Sequence, residues 1–464
     1  MKKHISFIIV ILILCTLCAC GSKQPSWPGY VGTMDGYTYC YTEGRDLQWE
    51  EDILYLAESF LADHPYLSNK DFMIHTASEL FGTMEYEYTN VLYNDSLRSE
   101  FLSNINALIP QIPKLTDAQI LYELKRIVAS VGDIHTNLTA VSAEDMVFPL
   151  AFEHITDESG VSLYAVRVPE AYESIYLGKL TAINDVSIEE ILEKLSAFTP
   201  AENDHYFLYA TVKPRSTNAM LTLHNALQAI GVVKETDTSA AFTFETTSGS
   251  VTQMVDAIPI TESKNQSWLR HPMATEARLI YHQDSNYWYE LLENDVLYVR
   301  FSSMYQDSVQ SFDSFLTQVA SVLRNAENPL RLILDFRYNG GGIDYSNTLK
   351  SFSASVNRCA TDGVFILING GSASAGVYAP FALRNAIDGA VLAGSPTAQL
   401  INCPADSFAY ILPNSGYNFR ISSEYFRYVP SENADALYPD VTIYQTWDDY
   451  LQSVDSVLHY ALSQ

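Results

Sequence analysis

The chain has 464 residues, room for two or three domains, and its 55 acidic against 27 basic residues leave a net charge of −28. That balance excludes nucleic acid and anionic lipid surfaces as electrostatic partners and favours a self-repelling soluble body. Beyond residue 20 the cysteines are Cys40, Cys359 and Cys403, which excludes a disulfide framework and gives no zinc spacing; whether Cys359 and Cys403 pair stays open.

The chain opens with a basic pair, Lys2 and Lys3, followed by an apolar run from Ile5 to Leu17. That run is shorter than the ~20 residues that span a bilayer and reads as a secretory signal. It ends in Leu17-Cys18-Ala19-Cys20, which resembles a bacterial lipobox. The resemblance implies a signal over residues 1–19, cleavage before Cys20 and diacylation of its thiol. Two acyl chains anchor stably where one does not, so the expected location is extracytoplasmic and membrane-tethered. Plain secretion is the alternative. Residues 20–45 are then a tether, opening with the flexible Gly21-Ser22-Lys23-Gln24-Pro25.

Residues 46–139 carry helical periodicity. Trp49, Ile53, Leu54, Leu56, Ala57 and Phe60 form one apolar stripe. The spacing predicts a second helix over 70–84, a third from Ser96 to Leu108 with Asp95 as its cap, and a fourth capped by Thr116 and ending near Ser130. The segment closes on Val131-Gly132-Asp133-Ile134-His135-Thr136, a breaker and a strand start. Residues 140–240 turn β-rich. Within them a strand, an Asn184-Asp185 turn and a helix capped by Ser187 resemble part of a PDZ-like module, with an ordinary β-turn-α unit as the equal alternative. A helix near 217–230 and strands near 240–258 carry no evident chemistry. Residues 241–464 hold the α/β pattern. Strands over Val296–Phe301, 330–336, 363–368 and 389–393 alternate with helices over 311–325 and 374–386, which argues parallel pairing.

Two stations in this last region invite chemistry. Leu334-Asp335-Phe336-Arg337-Tyr338-Asn339-Gly340-Gly341-Gly342 is a buried strand running into three glycines. Glycines at a strand's carboxyl end let backbone N–H groups approach a ligand, and ligands of parallel sheets sit at that end. Asp335 and Arg337 alternate onto one face, where a charge pair would brace the glycine loop. The second station is Ile368-Asn369-Gly370-Gly371-Ser372-Ala373-Ser374-Ala375. A strand, a small-residue turn and a helix present a hydroxyl at a helix N-terminus, where free N–H groups and the dipole favour an oxyanion. One such donor is worth roughly 3–4 kcal/mol of transition-state stabilisation. Either serine could also serve simply as a helix cap.

Together these stations resemble the serine peptidase family of tail-specific (C-terminal processing) and tricorn-core peptidases. The shared residues are Asp335, Arg337, Asn339, Gly341 and Gly342, then Gly371-Ser372-Ala373-Ser374, Gly394-Ser395-Pro396-Thr397, Pro439-Asp440, and Asp133-Ile134-His135-Thr136. The resemblance implies a ClpP/crotonase-like layered α/β catalytic domain in an α/β (α+β multi-domain) chain, with the helical segment delivering His135. It implies Ser374 as nucleophile, Ala375 N–H as one oxyanion donor and Gly341 N–H as the second, with Gly340 or Gly342 as alternatives. One branch of the family places a lysine about 25 residues after the serine; here Gln399 and Leu400 stand there. The resemblance therefore points to the Ser-His branch, with His135 as general base and Glu432 as its orienting carboxylate; Asp133 and Asp406 compete for that role. Asp335, Arg337 and Asn339 are implied as structural. No metal or organic cofactor is implied. The expected substrate is an unstructured peptide or protein tail, which a sheet edge could bind by strand addition. Ile134, where the branch carries a serine, and Val377, where the family usually carries an acid, depart from the pattern. They keep alive the alternative of a degenerate peptidase that binds peptides without cutting.

Overall fold

The computed structural model describes residues 44–464 except 78–79, 81–83, 143, 158–159, 213–218, 276, 360 and 430–433. The signal, Cys20, Cys40 and Glu432 lie outside the described residues. The chain divides into two compact units. One takes residues up to Met73, Tyr88–Ala140 and Pro404–Tyr425; the other takes Ile74–Glu87, Val141–Cys403 and Phe426–Gln464.

In the first unit the apolar stripe of the helix Arg45–Asp63 is buried as its spacing requires. The helix Asp95–Leu108 is capped by Asn94, whose side chain accepts the Leu97 N–H at 3.0 Å. Asp95, expected as the cap, is instead the first helical residue and accepts from Tyr93 Oη at 2.9 Å. Thr116 and Gln119 form a reciprocal capping box at the head of Asp117–Ala129. Late in the chain the strands Cys403–Ile411 and Asn418–Arg427 run side by side, and Phe419 and Arg420 of the latter pair antiparallel with Leu138 and Asn137. Phe419 reaches the helical core, with its ring 6.2 Å from Phe60 and 5.0 Å from Tyr410. Where a helix was expected over 70–84, the described residues Phe72–Ala77 form a strand instead. Beyond it Met84–Thr89 is also a strand, and its Met-Glu-Tyr-Glu-Tyr-Thr alternates with period two and is rich in β-formers.

The second unit contains two main sheets. In the first, strands run in the order Gly249–Asp256, Ser239–Thr246, Lys179–Ile183, Gly160–Pro169, Trp268–Arg270, with Ala151–Asp157 also paired to Gly160–Pro169. Asn184 and Asp185 both take positive φ, 47° and 62°, as a two-residue hairpin turn demands. Ser187 then caps the helix Ile188–Ser196 through the Glu190 N–H at 3.2 Å.

The second sheet has the order Tyr287–Leu292, Val296–Phe301, Leu330–Asp335, Thr361–Ile368, Val391–Gly394, Val441–Thr442. The first pair is antiparallel and the rest are parallel. Side-chain alternation splits its core into two faces. Leu297, Val299, Leu332, Leu334, Ile366 and Ile368 pack with residues of the helices Phe312–Asn325, Ser346–Val356 and Ala375–Ala386. Tyr298, Ile333, Phe365 and Leu367 pack on the opposite face with Val457, Leu458 and Ala461 of the C-terminal helix Ser456–Ser463. A parallel sheet covered on both faces leaves its carboxyl edge as the place where loops converge.

Candidate active site

The glycine loop leaves the carboxyl end of Leu330–Asp335. Asp335 is fully buried and accepts from Arg337 Nη2 at 2.6 Å and from Tyr298 Oη at 2.8 Å. Arg337 also donates to Asp455 at 2.7 Å, and Asp455 in turn accepts from Arg278 Nε at 3.0 Å. Burial opposes the charge on Asp335, yet Arg337 and Arg300 hold its carboxyl below the ordinary range. The charge pair read from the sequence is thus a wider buried network that fixes where the loop begins.

From this base Asn339, buried, spans two partners. Its Nδ2 donates to Phe301 O at 3.0 Å, and its Oδ1 accepts the Gly341 N–H at 2.9 Å. The Gly341 N–H, expected to face an oxyanion, is therefore engaged by its neighbour; a donor role requires it to exchange acceptors. Gly341 itself lies against the serine turn. It has φ +97°, and a Cβ added there would come within 2.5 Å of Ser374 Cβ and 3.0 Å of Ala375 N. The glycine loop and the serine turn touch, and a side chain would push them apart.

The serine turn separates the two hydroxyls. Ser372 is fully buried; its Oγ donates to Phe336 O at 2.9 Å and accepts the Asn369 N–H at 3.2 Å. Asn369 Oδ1 meanwhile accepts the N–H groups of Tyr338 at 2.9 Å and Gly371 at 3.0 Å. Ser372 thus stitches the turn to the neighbouring strand. Ser374 is half-buried at the N-terminus of Ala375–Ala386, with φ 56° and ψ −130°. A non-glycine residue there stores about 1–3 kcal/mol of strain, a recurring device at strand-to-helix nucleophile turns. Ala375 is the first helical residue, where an N–H has no acceptor within the helix.

His135 lies in the other unit, in the segment between Asp117–Ala129 and Asn137–Leu138. Asp133 organises this segment. Fully buried, it accepts the His135 N–H at 2.9 Å, Thr136 Oγ1 at 2.6 Å and Ser422 Oγ at 2.5 Å, and His64 Nε2 lies 3.4 Å away. Burial disfavours its charge, but His64, His135 and Ser422 outweigh that and hold the carboxyl below its ordinary range. The His135 ring has Nδ1 3.8 Å from Asp133 Oδ1. Burial lowers its pKa; Asp133 and Asp406 pull it up, Arg420 pushes it down, the Pro404 carbonyl raises it, and the net shift is downward. The imidazole is therefore neutral near pH 7, the form in which a ring nitrogen can accept a proton. Asp133 and Asp406 both act on this ring. Ser422 is a contributor that sequence reasoning missed, since nothing local distinguishes a serine in a late hairpin strand.

No family model matches the sequence, and no curated protein is similar to it in sequence. Solved structures do match. Mature CPAF complexed with lactacystin shares 10% identity over 90% of this chain and 97% of its own, with a TM-score of 0.58. A second structure of mature CPAF matches with a TM-score of 0.56 and 11% identity, over 90% of this chain and 96% of its own. The chain thus shares the overall fold of mature CPAF. The α/β, multi-domain architecture expected from its motifs is the one observed.

Proposed function

We propose that the chain is a serine peptidase that hydrolyses peptide bonds of unstructured peptides or protein tails through an acyl-enzyme on Ser374. Ser374 Oγ attacks the scissile carbonyl, His135 accepts its proton, and the same imidazole later returns a proton to the leaving amine. The Ala375 N–H, and a glycine-loop N–H at Gly341, Gly340 or Gly342, stabilise the oxyanion. The observation that carries this reading is the strained, half-buried Ser374 seated against Gly341 at a helix N-terminus, while Ser372 is consumed by structure. A neutral His135 held on an ionised Asp133 supplies the matching base. We further propose that Cys20 carries the lipid anchor and that the body works outside the cytoplasm.

A fluorophosphonate probe tests the reaction. The wild-type protein is expected to be labelled at Ser374, and labelling is expected to vanish in Ser374→Ala and fall at least 10²-fold in His135→Ala. An unlabelled wild-type protein that still binds peptides would establish the second reading, a degenerate peptidase. That reading draws on the Gly341 N–H already engaged by Asn339 and on Val377, which is buried in the core.

A further inference from the structure

Gln399 is fully buried at the position where the related branch carries a lysine. A carboxamide has no basic nitrogen, so it cannot replace that lysine as a proton acceptor. Its contacts show another use. Gln399 Oε1 accepts the Ser374 N–H at 2.7 Å, and its Nε2 donates to Glu202 Oε1 at 3.1 Å. The second carboxylate oxygen, Glu202 Oε2, accepts the Leu400 N–H at 3.0 Å. The neighbouring Asn203 Nδ2 donates to Thr397 O at 3.1 Å, and Thr397 Oγ1 donates to Gln399 O at 3.1 Å.

An amide has one donating and one accepting end, and nothing in its shape selects between two flips. Glu202, accepting through both oxygens, makes the choice. The flipped amide would place a carbonyl against a carboxylate and an NH2 against the Ser374 N–H, two repulsions in a buried site. We propose that Glu202 and Gln399 form a positioning relay: Glu202 orients the Gln399 amide, and Gln399 holds the Ser374 backbone in its reactive left-handed conformation. The relay rests on the reading of Ser374 as nucleophile. It also ties the segment between Ile188–Ser196 and His205–Thr211 to the serine turn, so a shift of that segment is felt at the nucleophile.

An exchange of the two side chains tests this. In Glu202→Gln an amide must accept both from Gln399 and from the Leu400 N–H with one oxygen. In Gln399→Glu two carboxylates face each other. Each single variant is expected to lower the maximal fluorophosphonate acylation rate of Ser374 roughly 10–100-fold, with the half-saturating probe concentration unchanged, as a misplaced nucleophile requires. In the double variant Glu202→Gln, Gln399→Glu, the carboxylate at 399 again accepts from the Ser374 N–H and from the amide at 202, whose oxygen accepts the Leu400 N–H. Its rate is expected to return to within about threefold of the wild type, a coupling that independent sites would not show. Thermal unfolding reports whether each variant is folded; where a single variant does not fold, the double variant against the wild type decides. Wild-type rates in the single variants, or a folded double variant no faster than the slower single, overturn the relay while leaving Ser374 as nucleophile. A wild-type protein unlabelled at Ser374 removes the nucleophile and the relay together.

Discussion

Two serines two residues apart do different work, and hydrogen bonding rather than sequence position separates them. Ser372 gives its proton to Phe336 O and its lone pair to the Asn369 N–H, so its hydroxyl is committed to the fold. Ser374 is held by its backbone instead, which leaves its side chain available for chemistry. His135 is tuned in a similarly local way. Its pKa lies below 6.5 because burial outweighs the pull of Asp133 and Asp406. The basic form therefore persists to lower pH than for an ordinary histidine, and the acid limb of Ser374 labelling is expected below pH 6.5. Asp133→Asn removes an interaction that favours the imidazolium. The limb should move further toward acid, and the plateau rate should fall as the protonated base loses its stabiliser. Labelling rates from pH 4 to 8 check this, and a limb that moves upward would contradict the role given to Asp133.

Among the elements, those that were legible in the sequence are those whose pattern is strong over their whole length. The strand ending at Asp335 and the helix beginning at Ala375 were both expected within a residue, because a fully apolar run and a small-residue turn leave few alternatives. Residues 70–84 were misassigned because a short amphipathic stretch fits both periods until a sheet claims it. The strand Ala151–Asp157 carries a consequence that its pattern does not show. Glu153 is buried in it, and burial, only partly offset by Arg278, pushes its pKa from 4.5 up to about 7. The folded state thus binds a proton that the unfolded chain releases near pH 4.5. This contribution is fully present below the unfolded pKa and is lost as pH rises through about 7, amounting to roughly 3 kcal/mol. Glu153→Gln keeps the shape without the charge. In urea titrations the variant should match the wild type near pH 4 and exceed it at pH 8 by up to roughly 3 kcal/mol; parallel curves across that range would rule the shift out.

For the whole molecule, the lipobox-like start predicts that the expressed protein fractionates with membranes and that Cys20→Ser releases it to the soluble fraction; a wild-type protein found wholly soluble would argue for plain secretion. The division of the chain was less visible than its parts. The hairpin around Cys403–Ile411 and Asn418–Arg427 belongs with helices more than 250 residues earlier, and it supplies Ser422 to Asp133. Local pattern and motif order were enough to anticipate an α/β fold and to mark Ser374, His135 and the glycine loop as candidates, because periodicity and backbone freedom are written into neighbouring residues. The tertiary structure alone decided that Ser372 is spent on a carbonyl, that Asn339 engages the Gly341 N–H, that Ser422 braces Asp133 and that Glu202 sets the Gln399 amide. Periodicity states which face of an element is buried; it does not state which distant donor or acceptor will be waiting there.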